Sequence, residues 1–417
     1  MSGTIRASLT GGGMTDPLTR LTSAGVSVWL AGLGRSHLGD GALERLRATG
    51  RVSGALLDAT VLADAIRSDG GYDRDATVLA DAIRSDGGYD REVAELALTG
   101  VGADDALRSL TACDARWACD VMGSAFEASQ GADGHVAVAI DPRLAHNAAR
   151  LADDVGALRG LVDRPNLIAV IPATEPGLRA AVACLAEGIS VGLDLVFSPD
   201  RFARVQEAFL TGLEQALRRG LGIGRIAAVA LFSPEAVDSV FDAELDRRGI
   251  RSHRLRGRAG IAMARLAYAE GERLSVSPRW RSLEQEGARP LRLMWTSATA
   301  RQPMGEDTRY VEALVAPGTV CAVDTRTLKA VEDHGLIRTD VMRGSAPAAH
   351  DTLDDLALRG LELGAVIEAL ERGSLAGQVA ERARLTDHLA AVMNGEIVRS
   401  RWGAPAAQLP GGGESFV

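Results

Sequence analysis

The chain has 417 residues, of which 46% are apolar and only 4% aromatic, and a formal net charge of −9 at neutral pH. Length and apolar content suffice for a large core filled by Val, Leu, Ala and Ile, and an acidic chain without dense basic patches argues against a nucleic-acid partner. No apolar run reaches the roughly 18 residues of a membrane span and the start lacks the build of a signal peptide, so a cytoplasmic protein with a small-molecule substrate and no membrane partner is expected. Lys329 is the only lysine, and arginine supplies the remaining positive charge. The four cysteines, Cys113, Cys119, Cys184 and Cys321, have no metal-ligand spacing. They read as buried free thiols, and neither a metal nor a cofactor is expected.

Residues 1–16, with Gly11-Gly-Gly13, read as a loose lead-in. Strand candidates follow at Gly25–Leu30 and Val52–Asp58. Then Asp58–Arg74 is repeated without change as Asp75–Arg91. A single 17-residue tandem copy is too short for a solenoid, so it reads as a duplication tolerated in a loop, with a lid over the second strand as the sharper alternative. Helical patterns cover Val93–Leu98, Ala103–Leu110 and Asp114–Met122. A third strand, His135–Ile140, leads to Asp141, which suits a cap for a helix opening at Pro142. His37 and His135 flank strands and receive no role.

The turn Asp163-Arg-Pro-Asn166 precedes a continuously apolar run, Leu167–Ile171, and a helix over Pro176–Glu187. The fifth strand lies in Gly188–Ser198. The next helix, Pro199–Arg219, ends in the glycine cluster Gly220–Gly224, which precedes a strand and therefore stops a helix rather than cradling a phosphate. Strands six to eight are expected at Arg225–Phe232, Leu291–Ser297 and Val315–Val320, followed by helices over His350–Arg399 and a frayed tail over 400–417. Eight strands alternating with helices predict an α/β fold, a single (β/α)8 TIM barrel over 17–399. The duplicated insert (58–91) follows its second strand, and extra helices close its C-terminus.

The segments DPRL (Asp141–Leu144), RPNL (Arg164–Leu167), IPAT (Ile171–Thr174), EGISV (Glu187–Val191) and LVAP (Leu314–Pro317) occur in one order that resembles the transaldolase family, of the actinobacterial type. The resemblance spans roughly 17–395 and implies the same barrel. It also implies where the family's functional side chains would fall. The Schiff-base lysine corresponds to Val170 and the two aspartates after the first strand to Ala31 and Gly32. The donor-binding asparagine corresponds to Asp58 and the water-positioning glutamate to Ala139. A second asparagine falls at Gly192, the threonine at Asp194, the serine at Leu231 and a phosphate-binding arginine at Ala236. Ser297 and Arg301 fall near the remaining phosphate contacts.

A Schiff-base aldolase needs an amine with a lowered pKa in an apolar pocket, and Lys329 falls on a helix after the eighth strand. These departures lead to the expectation that the chain is not a working transaldolase. It would instead be a repurposed, cofactor-independent acid/base enzyme of isomerase, lyase or cyclase type in specialised metabolism. A non-catalytic pseudoenzyme is the alternative, and true transaldolase activity comes last. Asp58 and Asp194 would be the acid and base, two carboxylates whose values a shared pocket would push apart. Trp29 and Trp295 would be apolar walls, and Ser297 and Arg301 anion contacts. The plainer roles are a helix cap for Asp58, a buried ion pair for Asp194, core packing for the tryptophans and a surface position for Arg301.

Overall fold

Apolar runs bounded by turn residues become the strands of a closed parallel barrel in the computed structural model, which describes residues 16–57, 89–252, 254–296 and 307–394. The strands are β1 (Ser27–Leu33), β2 (Gly54–Leu57), β3 (Val136–Ala139), β4 (Leu167–Pro172), β5 (Val191–Val196), β6 (Ala228–Phe232), β7 (Arg292–Trp295) and β8 (Val320–Val323). Each pairs with the next, and β8 returns to β1 from Ser27↔Val320 to Leu30↔Val323.

The early helices are α1 (Pro17–Ser23), α2 (Arg35–Gly39), α3 (Ala42–Ala48), α4 (Asp90–Thr99) and α5 (Ala103–Ala128). A 3-10 turn, Pro142–Leu144, precedes α6 (Ala148–Val162), α7 (Glu175–Ala186), α8 (Pro199–Arg218) and α9 (Pro234–Arg247). Then come α10 (Ala259–Ser275), α11 (Pro278–Gln285), α12 (Arg309–Ala313), α13 (Thr325–His334), α14 (Ala346–Leu358) and α15 (Leu363–Met393). Side-chain caps start many of them: Thr174 accepts from Gly177 N at 3.1 Å, Ser198 from Arg201 N at 3.2 Å and Asp324 from Thr327 N at 2.7 Å. Each such cap is worth about 1 kcal/mol.

The expected barrel is therefore present, with three local corrections. The eighth strand begins where it was expected to end, because Pro317 and Gly318 (φ +78°) make a turn inside the apolar run. The two helices expected either side of residue 112 are one, α5, because nothing between Leu110 and Asp114 breaks a helix. Cys113 is exposed on α5, while Cys119, Cys184 and Cys321 are buried as expected. The C-terminal helical pattern resolves into α14 and α15. The lead-in up to residue 15, the tail from 395 and the duplicated insert up to residue 88 lie outside the described residues.

Apolar side chains form two shells. The inner one fills the barrel with Trp29, Ala137, Ile168, Val170, Val229, Leu231, Met294, Val320 and Ala322, and the outer one joins barrel to helices. Two glycines make room inside. A Cβ on Gly54 would meet the Trp29 indole at 2.4 Å, and one on Gly192 would meet Val170 Cγ2 at 2.9 Å. The floor is polar and paired. Arg292, opening β7, donates to Asp133 Oδ1 at 3.0 Å and to Thr319 O at 3.0 Å, while Ser27 donates to Asp133 Oδ2 at 2.8 Å.

Candidate functional site

In a barrel of this kind substrates meet the C-terminal ends of the strands. At that end the inner wall brings Val170, Gly192 and Leu231 together. Val170 pairs in register with Ala139 on one side and Gly192 on the other, and the Gly192 α-carbon faces Leu231 and Val229 as well. Four positions singled out by the family resemblance thus converge on one wall, which the period-two alternation of strands accounts for. Among the described strand residues only Ala139 is exposed, so the opening lies at the β3–β4 edge.

Asp194 stands at the rim. A register shift between Leu193 and Val196 and a left-handed Leu195 (φ +61°) mark a bulge directly after it. A non-glycine residue held there costs on the order of 1–3 kcal/mol, and bulges of this kind re-aim side chains beside functional sites. Its Oδ2 accepts a hydrogen bond from Gln378 Nε2 at 2.7 Å.

Gln378 belongs to α15, which falls within the helical patterns expected over His350–Arg399. With 31 residues it extends about 46 Å, far enough to cross the mouth. Glu371 on α15 takes Arg201, at the start of α8, in a two-point contact of 3.0 and 2.7 Å. Next comes Gln378 over Asp194, and then Thr386 donating to Asp104 of α5 at 2.9 Å. Leu385 and Leu389 are fully buried in a satellite core with Tyr89, Val93, Leu107 and Leu110. The side chains facing down (Glu371, Leu375, Gln378, Arg382, Leu385 and Leu389) recur every three or four residues, the repeat of one helix face. That spacing was the available signal for Gln378 and Arg382, and only the fold shows what the face covers.

A buried clamp stands beside this roof. Arg35, just after β1, donates through Nε to Asp114 Oδ1 at 2.8 Å, pairs with Glu92, and lies 4.0 Å over the Tyr89 ring. Burial lifts the Asp114 carboxyl above its ordinary value, and Arg35 opposes that lift.

Of the residues proposed from sequence, Asp58, Ser297 and Arg301 lie outside the described residues. Trp29 is fully buried in the inner shell with its ring 6.4 Å from that of His135, which precedes β3, so it turns toward the floor and not the mouth. Trp295 packs edge-on to Phe232 in the outer shell, its Nε1 donating to Leu314 O at 3.1 Å, and lines no inner wall. Asp141 is the expected cap, accepting from Arg143 N at 3.0 Å. Lys329 is exposed on α13. No group of three or more His, Cys, Asp or Glu that could hold a metal occurs among the described residues. Nor is any helix among them long and apolar enough to cross a membrane.

Comparison with known proteins places the chain in a family. The Transaldolase/Fructose-6-phosphate aldolase family matches residues 74–389. The chain is 42% identical over 359 residues to a Transaldolase of Acidothermus cellulolyticus, covering 86% of this chain and 92% of that protein. It is 42% identical, over 86% of this chain and 93% of the relative, to a Transaldolase of Thermobifida fusca. With a Transaldolase of Mycobacterium tuberculosis it shares 42% over 85% of this chain and 91% of the relative. These relatives overturn the expectation of a repurposed acid/base enzyme or a pseudoenzyme, because likeness to proteins named Transaldolase runs along nearly the whole barrel. The chain belongs to the Transaldolase/Fructose-6-phosphate aldolase family.

Proposed function

We propose that this chain is a transaldolase acting on sugar phosphates at the mouth of the barrel, beneath α15. The observation that carries the reading is the 42% identity to proteins named Transaldolase over 86% of the chain. In such a transfer a carbon–carbon bond of the donor ketose breaks. The hydroxyl on the leaving side gives up its proton and the donor carbonyl receives the electron pair as an enolate, whose carbon then adds to the acceptor aldehyde while the aldehyde oxygen takes the proton back. Asp194 is the carboxylate positioned for that proton, presented by the bulge after it and steadied by Gln378. The apolar wall of Val170, Gly192 and Leu231 excludes water from the carbon skeleton, which strengthens every polar contact made at the rim.

The test is turnover of fructose 6-phosphate with erythrose 4-phosphate by the full chain, alongside borohydride trapping read by intact mass. The reading predicts release of a triose phosphate, abolished in Asp194→Ala. Lys329→Met and Val170→Lys accompany the trapping. An adduct lost in Lys329→Met would assign the amine to the one lysine of the chain. Val170→Lys places an amine where burial lowers its pKa and favours the free base. Absence of turnover by the parent chain would overturn the reading.

A further inference from the structure

A phosphorylated substrate calls for a cation to receive the phosphate; the resemblance places Ala236 where the family's first phosphate-binding arginine falls, and Arg301, the other expected anion contact, lies outside the described residues. The roof offers one. Arg382 lies on the downward face of α15, four residues beyond Gln378 and three before the buried Leu385. Its side chain is half-buried, and its Nε is fully covered and without a hydrogen-bond partner. No carboxylate lies within 4.0 Å of it among the described residues, whereas Arg35, Arg201 and Arg292 each hold one.

The charged groups around it are Asp141, Asp104, Asp154 and Arg143, and each carboxylate is already engaged. Arg143 holds both Asp141 and Asp104 at 2.6 Å, Thr386 donates to Asp104, and Arg108 holds Asp154 at 3.0 Å. Burial therefore pulls the Arg382 guanidinium below its ordinary value, with Asp141 only partly offsetting it. An arginine covered in this way and lacking a direct partner is costly to keep. The cost is offset when an anion supplies the paired, charge-assisted bonds that a guanidinium forms with phosphate. The location fits. Asp141 follows β3, whose last residue, Ala139, is the exposed strand position beside Val170.

We propose that Arg382 is the phosphate anchor of this barrel, binding the phosphate of a sugar phosphate that enters beneath α15 at the β3–β4 edge. The assignment rests on the sugar-phosphate reading above, and binding measured apart from turnover separates the two. The full-length parent, Arg382→Gln, Arg382→Lys and Arg372→Gln, an exposed position on the same helix, are titrated calorimetrically with fructose 6-phosphate, fructose and inorganic phosphate.

The expected result is that the parent binds fructose 6-phosphate at least tenfold more tightly than fructose. Arg382→Gln loses that preference, Arg382→Lys keeps part of it and Arg372→Gln keeps all of it. Parent-like affinity in Arg382→Gln would overturn the anchor while leaving the sugar-phosphate reading intact. Loss of cooperative melting in Arg382→Gln would also overturn it, since an arginine without a structural partner should be dispensable for folding. A parent that binds neither fructose 6-phosphate nor phosphate would overturn both.

Discussion

The floor and the mouth of this barrel treat charge in opposite ways. At the floor Arg292, Asp133 and Ser27 satisfy one another and tie β7, β1 and the turn before β3 into one hydrogen-bonded plug. At the mouth the inner wall is apolar, and polar groups arrive from elsewhere: Asp194 from a bulged strand end, Gln378 and Arg382 from a helix laid across the top. A plug whose members are all paired contributes rigidity. A roof that leaves one cation uncommitted has capacity for a ligand. The difference separates residues that hold the barrel from residues that can do something with it.

Breaking a paired charge should therefore cost stability, and the buried clamp near the rim should show the largest effect. With Arg35 and Asp114 side chains only 12% and 6% exposed, Asp114→Ala should destabilise by about 3–5 kcal/mol, because it leaves a buried arginine without its main partner. Urea unfolding would show this as a midpoint shift at unchanged slope. Arg292→Ala should cost less, about 1.5–3 kcal/mol, the range for hydrogen bonds to charged groups. Its floor position predicts that turnover per folded molecule is unchanged. A large fall in turnover there would break the comparison.

Two buried groups should also respond oppositely to pH. Burial holds His135, near the floor, down to about 4. Its unfolded form binds the proton more readily, so it makes stability rise with pH between about 4 and 6.5. Burial raises Asp238, on α9 and accepting from Gly260 N of α10, to about 6. Its folded form binds the proton more readily, so it makes stability fall as pH rises from about 4 to 6. Thermal melts across pH 4–7 should therefore be flattened in opposite senses by His135→Gln and Asp238→Asn, and slopes changing in the same sense would contradict this. The smallest effect, about 1 kcal/mol, is expected for Gln378→Ala, which removes one half-buried hydrogen bond. Its signature should be kinetic instead, with kcat falling more than KM rises as Asp194 loses its orientation.

How far these features can be read from sequence depends on the range of the interaction that fixes them. The barrel is legible because each strand is a local apolar run between turn residues, as in Leu167–Pro172 after Asp163-Arg-Pro-Asn166. The cap at Asp141 is legible for the same reason. The eighth strand was misplaced because Leu314–Val323 holds two apolar runs around a Pro-Gly turn, and only pairing with β1 and β7 decides which one joins the sheet. Trp295 was misassigned as a pocket wall because one step of strand register exchanges the inner face for the outer. The roof was the least legible part. Residues 363–393 declare a helix, but nothing local says that its Gln378 meets Asp194, 184 positions earlier. The inference from single site positions to a lost activity failed for a different reason: it weighed a few side chains against likeness spread over the whole barrel.

The most direct test of the account is transaldolase turnover by the unmodified full-length chain, with fructose 6-phosphate as donor, erythrose 4-phosphate as acceptor and triose phosphate release followed in a coupled assay. The account predicts enzyme-dependent release that disappears in Asp194→Ala. Release indistinguishable from the enzyme-free blank, from a chain that melts cooperatively, would contradict it.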